Sequence, residues 1–375
     1  MCSRTFVLAL QVLPRRPALA SLHCLHGFVY SAHGIFVVPN LLSPAARLRL
    51  NLGAFLLTLF HLTNIIVPRT SPLCLSPFVV KQESPMSEKA TYFNEREHQI
   101  CLVARMIEDA RTYWVAGGGS PMAAILLAKK LYTPNAVYVT EDGVVNPEPM
   151  LPLDPLMTMV SSRSSYRALQ WGTMNSVGFQ AQIGLMDYGI LNTLQVDRYG
   201  NINSTALGDY EGEHRRFGGP GGADSIAASC WKTLLMTDQQ KRKFVSRVDF
   251  ISSPGFLDGS PNARERAGLP RGTGPWRVVT PWALFDYEDR YLRLIGVSPF
   301  VTVDQVLAEM SFEPKMAPEI ETLETPTEDE LAMLRSELDQ RGQITDVGKP
   351  VMRQDDGTYA FVEEQKEKGE LPSSW

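Results

Sequence analysis

From residue 94 onward the apolar positions alternate between two periods. Asn94-Glu95-Arg96-Glu97 is a capping-box pattern, in which Asn94 starts a helix and Glu97 reaches back to it. Ile100, Val103, Ala104 and Ile107 then recur at helical spacing on one face. Tyr113-Trp114-Val115-Ala116 predicts a short strand, and Gly117-Gly118-Gly119 follows at once. Ser120-Pro121 predicts a second helix start, with Ser120 as N-cap and Pro121 at the first helical position. Residues 122–131 are apolar enough for a buried helix, and Ala136-Val137-Tyr138-Val139-Thr140 predicts the next strand. Strands separated by helices imply a parallel sheet covered on both faces.

Further along the pattern loosens. Residues 189–196 predict a strand, and Phe250-Ile251-Ser252 the end of another. Residues 276–280 and 291–295 flank residues 285–290 in the manner of a meander. Residues 302–310 predict a short helix with Val306, Leu307 and Met310 inward. The acidic, proline-rich stretch 313–326 reads as a linker. Thr327-Glu328-Asp329-Glu330 is a second capping box, opening a helix with Leu331, Leu334 and Leu338 on one stripe. Residues 341–375 are polar and end in a charge run, which reads as a solvated tail. The expected fold is α/β: an open, mostly parallel sheet with helices on both faces, then a meander and a helical tail.

Composition divides the chain. The 375 residues hold 36 Lys+Arg and 41 Asp+Glu. Residues 1–85 carry seven of the basic residues and one acid, Glu83, which leaves 29 and 40 and a net of −11 for the rest. Three of five cysteines and four of six histidines also precede residue 86. The apolar run 50–67 is interrupted by Asn51, His61 and Asn64, which weakens any reading as a membrane span. After Met1 the next methionine is Met86. The expectation is that residues 1–85 are an over-long reading frame, with a targeting or membrane-surface segment and a genuine extra domain as the alternatives. Residues 86–312 would be the working domain, and 313–375 a linker, short helix and tail. Five cysteines exclude a disulfide framework, and the acidic balance gives no case for nucleic acid. A cytoplasmic protein without a membrane segment is expected after Met86.

Three turns could carry chemistry, because open parallel sheets bind ligands beyond their strand ends. Gly117-Gly118-Gly119-Ser120-Pro121 could hold an anion on backbone N–H groups, or simply be a tight turn. Thr140-Glu141-Asp142-Gly143 puts two carboxylates at the end of an apolar strand. Phe217-Gly218-Gly219-Pro220-Gly221-Gly222-Ala223-Asp224 brings bare backbone close to whatever binds, and Asp224 or Ser225 could cap the helix after it. His98 and His214 are the only histidines after residue 86, so a catalytic triad or three-histidine metal site lacks parts. Cys101 and Cys230 sit in apolar surroundings and read as core thiols.

Together these segments resemble the β subunit of family I CoA-transferases, of the glutaconate CoA-transferase type. The resemblance is carried by Val139-Thr140-Glu141-Asp142-Gly143, by Gln195-Val196-Asp197-Arg198-Tyr199-Gly200-Asn201-Ile202-Asn203-Ser204-Thr205, and by the glycine loop. Ser252-Ser253-Pro254-Gly255-Phe256-Leu257-Asp258-Gly259 and Arg264-Glu265-Arg266-Ala267-Gly268-Leu269-Pro270 complete it. It implies a fold of the CoA-transferase and NagB-RpiA-like kind, working with an α subunit as partner in a hetero-oligomer. It implies that Glu141 attacks an acyl-CoA thioester and carries coenzyme A as a glutamyl thioester. Coenzyme A then enters as substrate, with no tightly bound cofactor and no metal. Gly221, Gly222 and Ala223 would polarise the carbonyl. Gly118, Gly119, Ser120, Asp142 and Arg198 are candidates for substrate contact, Asp142 more as a neighbour that tunes position than as a second nucleophile. For Arg198 and Arg264 a carboxylate or CoA phosphate stands against an ordinary ion pair. A carboxylate is ionised at neutral pH and needs no general base, so a shortage of histidine is harmless. A related branch resembles ring-opening CoA-thioester hydrolases that lack this glutamate. A non-catalytic partner subunit is the third expectation.

Overall fold

The computed structural model describes residues 88–116, 119–153 and 161–362, together with three short strands earlier in the chain. Those are β1 (Cys24–Leu25), β2 (Phe28–Ser31) and β3 (Gly34–Val37), an antiparallel sheet where the sequence showed no strand period. They belong to a unit of their own, Met1–Gln82, separate from Glu83–Trp375. The apolar run 50–67, Gly117, Gly118 and the charge run 363–370 lie outside the described residues. No helix among the described residues is long and apolar enough to cross a membrane.

The second unit is built in layers. After β4 (Tyr92–Asn94) comes α1 (Glu95–Arg105), and both halves of its capping box form. Then follow β5 (Thr112–Val115), α2 (Ser120–Leu131), β6 (Val137–Thr140), α3 (Met174–Gln182) and β7 (Tyr188–Asn192). Two ribbons, β8 (Gln195–Val196) with β9 (Ile202–Asn203) and β10 (Ala206–Gly208) with β11 (His214–Arg216), lead to α4 (Ala223–Ser229) and β12 (Lys232–Met236). A short helix, α5 (Ala263–Arg266), precedes the expected meander of β13 (Pro275–Val279), β14 (Ala283–Glu288) and β15 (Tyr291–Val297). The chain continues through α6 (Val303–Ala308), β16 (Lys315–Thr322), α7 (Glu328–Met333) and a π-helical turn at Leu334–Leu338. It closes with β17 (Pro350–Arg353) and β18 (Tyr359–Phe361).

Eight strands form the main sheet in the order β16-β15-β14-β13-β12-β7-β5-β6. All run the same way except β14. Side chains alternate across it with period two. Tyr113, Val115, Tyr138, Ile190, Leu234 and Val279 enter one core with α1 and α2. Their neighbours Trp114, Val139, Leu191, Leu235 and Val278 enter the other, with α3, α4 and α6. The chain reverses its direction of travel across the sheet at β5, whose neighbours are β6 and β7. Carboxyl ends at such a reversal are where open sheets hold ligands.

Several expectations needed correction. Residues 189–196 are not one strand, because the chain leaves the sheet after Asn192 and pairs again as β8. Residues 250–252 form no strand, while β12, unmarked in the sequence because it follows an Ala/Ser helix without a break, is central. The supposed linker 313–326 contains β16, a charged, proline-bearing edge strand of the kind that discourages sheet-to-sheet pairing. The supposed tail is folded as far as residue 362: β17 pairs with both β18 and β4, and Val351 is fully buried.

The C-terminal elements are tied to α1 by charge. Glu330 caps α7 at Thr327 and meets the Arg105 Nε at 2.8 Å, with the Tyr132 hydroxyl donating at 2.6 Å. Burial pushes the Glu330 carboxyl up, but the Arg105 bonds outweigh it and hold the group below its ordinary value. This pairing stabilises the fold above the usual glutamate range and is lost as pH falls through the depressed value. Glu330→Gln removes the buried carboxylate from Arg105, which keeps only Glu324 at 3.9 Å and two backbone carbonyls, and costs roughly 1–3 kcal/mol at pH 7. Urea titrations check this, and the gap between variant and parent narrows below about pH 4.

Candidate functional site

Glu141 follows the last residue of β6, so its backbone leaves a buried strand in a fixed direction. Thr140 is fully buried and closes the turn: its N–H donates to Val144 O at 2.9 Å, and the Val144 N–H to Thr140 Oγ1 at 3.0 Å. Gly143 completes it at φ 95°, where a Cβ would lie 2.3 Å from the Thr173 carbonyl oxygen. Only glycine fits there, since both conformation and contact forbid a side chain. Thr173 in turn caps α3, so the turn is clamped between β6 and a helix start.

Two carboxylates leave this turn in different directions. Asp142 accepts a hydrogen bond from Thr140 Oγ1 and so folds back on the strand end. Glu141 reaches the glycine loop, where the Gly222 N–H donates to its Oε1 at 2.7 Å. A Cβ on Gly221 would stand 2.5 Å from that oxygen, and one on Gly222 would stand 3.1 Å from the Glu141 Cγ. Gly221 has φ 58°, so glycine is required there twice over. The Ala223 N–H donates to Pro220 O at 3.1 Å and is therefore engaged inside the loop. The Gly221 N–H has no acceptor among the described residues. Of the three expected oxyanion donors, Gly222 is bonded to Glu141, Ala223 is bonded within the loop, and Gly221 alone has its N–H free among the described residues.

The helix after the loop begins at Ala223 with Gly222 as its cap, so neither Asp224 nor Ser225 caps it. Asp224 bonds Ser225 instead. After β5, Gly119 is the cap at φ 71° and Ser120 is the first helical residue, one position from expectation. A Cβ on Gly119 would meet nothing within 4 Å, so the space before it is open. Gly119 and Ser120 share a sheet end with Glu141, because β5 and β6 are parallel neighbours.

Arg198 stands apart. Its Nε donates to Ser246 O at 3.1 Å, and its guanidinium covers the rings of Tyr291 and Phe312. Arg264 is buried among backbone carbonyls rather than in an ion pair. His98 is buried with Nε2 2.8 Å from Ser298 Oγ, and burial, aided by Arg105, lowers its pKa to about 3. It is a neutral core group. His214 is exposed and stacks on Tyr210. Burial raises both Cys101 and Cys230, as expected of core thiols.

The polar motifs around the loop carry no chemistry that the sequence alone assigns, but the structure gives them a task. Ser252 Oγ joins Thr205 Oγ1 at 2.7 Å and the Ser204 N–H at 2.9 Å, and Thr205 Oγ1 donates to Gly219 O. The Phe217 and Gly219 N–H groups donate to the Thr205 and Ser204 carbonyls. Asn201 ties Asp197 to the backbone at Gly255 and Leu257. These polar residues form the cradle of the glycine loop. Their density of Asn, Ser and Thr is the signal that could have found it.

The structure thus sets a carboxylate on a rigid strand end against a bare-backbone loop. Comparison with known proteins gives the family. Residues 96–309 match the coenzyme A transferase family model, and the chain belongs to that family. It is 31% identical to the B subunit of glutaconate CoA-transferase from Acidaminococcus fermentans, over 66% of this chain and 94% of the relative. The crystal structure of glutaconate coenzyme A-transferase from that bacterium superposes with TM-score 0.63 at 28% identity, covering 68% and 99% of the two chains. The B subunit of 3-oxoadipate CoA-transferase from Pseudomonas knackmussii is 31% identical over 65% and 93%. The cholesterol ring-cleaving hydrolase IpdB subunit of Mycobacterium tuberculosis is 31% identical over 40% and 60%.

Gly221→Ala places a methyl group against the Glu141 Oε1 and strains the loop. We expect kcat to fall about a hundredfold, as for a misplaced reacting group, with circular dichroism unchanged. Unaltered turnover would show that the close approach is dispensable.

Proposed function

We propose that this chain is the β subunit of an acyl-CoA:carboxylate CoA-transferase and carries the reaction on Glu141. The supporting observation is the Gly222 N–H on Glu141 Oε1 at 2.7 Å, which fixes the carboxylate and leaves Oε2 for attack. In this reading Oε2 adds to the thioester carbonyl, the C–S bond breaks, and CoA thiolate leaves a mixed anhydride. The thiolate then attacks the glutamyl carbonyl, giving a glutamyl-CoA thioester and releasing the donor acid. The acceptor carboxylate repeats both steps in reverse and restores Glu141. One thioester replaces another, so the exchange needs no external energy source. Gly221 and Gly222 N–H groups stabilise the oxyanions, and exclusion of water protects the anhydrides.

A dicarboxylic acyl-CoA such as glutaconyl-CoA is the proposed substrate class, because the relatives act on glutaconate and 3-oxoadipate by name. Both relatives are named as B subunits, which supports an α-subunit partner. In this reading the partner covers an apolar strip. Leu169, Trp171, Phe179, Ile183 and Leu185 are all more than half exposed. The Val145–Gln170 bridge brings the strip to the turn after Glu141. The partial identity with a ring-cleaving hydrolase subunit favours hydrolysis as the second reading. Fast release of coenzyme A without an acceptor would distinguish it.

Glu141→Gln is expected to abolish transfer while the subunits still pair. With the unaltered complex, an acyl-CoA followed by borohydride is expected to modify the peptide holding Glu141. Full activity of the variant, or an unmodified peptide in an active complex, would remove Glu141 from the mechanism. Trp171→Asp with Phe179→Asp is expected to block pairing, read by gel filtration, without unfolding the chain.

A further inference from the structure

The amino ends of the parallel strands carry a second concave feature. A cleft of about 350 Å³ opens where β12 and β13 begin. Lys232 is the first residue of β12, and Pro275 and Trp276 open β13. Strands β6, β5, β7, β12 and β13 run in parallel, so the cleft and Glu141 occupy opposite ends of the sheet. The volume is within the range of small-molecule sites. Its walls are apolar at Trp231, Phe256 and Trp276, and cationic at Lys232, Arg264 and Arg290.

Those three cations have no carboxylate partner among the described residues. Lys232 Nζ rests on the Tyr188 hydroxyl at 3.2 Å and over the Trp276 ring at 5.0 Å. Arg290 Nε donates to Gly259 O at 2.9 Å. Arg264 is 5% exposed, and its terminal nitrogens donate to four backbone carbonyls and Thr273 Oγ1. Its Nε is buried without any partner. A guanidinium so enclosed is costly unless an anion compensates it. Burial accordingly lowers its pKa to about 10. In a chain of net charge −5, Lys232 and Arg290 on the cleft wall without an ion pair, over the buried Arg264 and with Glu265 the one acid on that wall, ask for an anionic ligand.

We propose that this cleft binds a small organic anion, with a carboxylate or phosphate head held by Lys232 and Arg290 and favoured by the buried charge of Arg264 beneath them. A flat apolar body lies against Trp231 and Trp276. The site is distinct from the transferase centre and takes a ligand that need not be its substrate.

Calorimetric titration of the assembled complex with phenyl phosphate and with benzoate tests this and separates the two heads. The expected result is saturable binding of at least one probe, with Kd near or below about 1 mM. Lys232→Ala with Arg290→Ala, both on the cleft surface, weakens it at least about tenfold. Saturating coenzyme A leaves it unchanged. Absence of saturable binding by both probes, equal binding by the double variant, or competition by coenzyme A would each overturn the proposal.

Discussion

The hydrogen bond from Gly222 to Glu141 spans 81 residues of sequence, and the arrangement of the sheet serves it. One end is fixed by β6, a buried strand whose turn is locked by Thr140, Gly143 and the start of α3. The other is fixed by a loop whose carbonyls and N–H groups are tied to Ser204, Thr205 and Ser252. Neither partner can shift without disturbing buried polar groups, and each such group left unpaired costs about 1–3 kcal/mol. The close approach also needs bare backbone at Gly221 and Gly222. Position is therefore set by packing at one end and by absence of side chains at the other.

This division of labour explains the sparing use of imidazole and thiol. Of the two histidines of the described second unit, one is neutral in the core and one is at the surface, and neither is bonded to Glu141. Both cysteines are buried in the helical layers. In the proposed reading a carboxylate nucleophile needs orientation and oxyanion donors more than it needs a base. The two carboxylates of the turn separate accordingly, Glu141 toward the loop and Asp142 back to the strand.

Much of this was legible locally. The capping boxes at Asn94 and Thr327 and the meander 275–297 are short-range patterns, and each formed. Glu141 and the glycine loop were each visible as features, but their pairing was not, because no local period encodes a contact over that distance. The edge strand β16 was hidden by the charge and proline that suit an edge. The β17–β18 hairpin was hidden by its polarity, since Val351 alone is deeply buried in it. Ala223 was expected to donate outward, yet the turn at Pro220 takes its N–H. The family resemblance supplied what periodicity lacked, and the geometry then gave its polar motifs a task as the cradle of the loop.

Oxygen transfer tests the central claim most directly. In the proposed cycle the acceptor's oxygen bridges the second anhydride and stays on Glu141 when CoA thiolate attacks the acceptor carbonyl. Turnover with an acceptor carboxylate labelled with heavy oxygen, followed by mass spectrometry of the peptide containing Glu141, is the measurement. The account predicts label in Glu141 and in no other side chain of the protein, and, after the first turnover, in the released donor acid. An unlabelled Glu141 after many turnovers would contradict it.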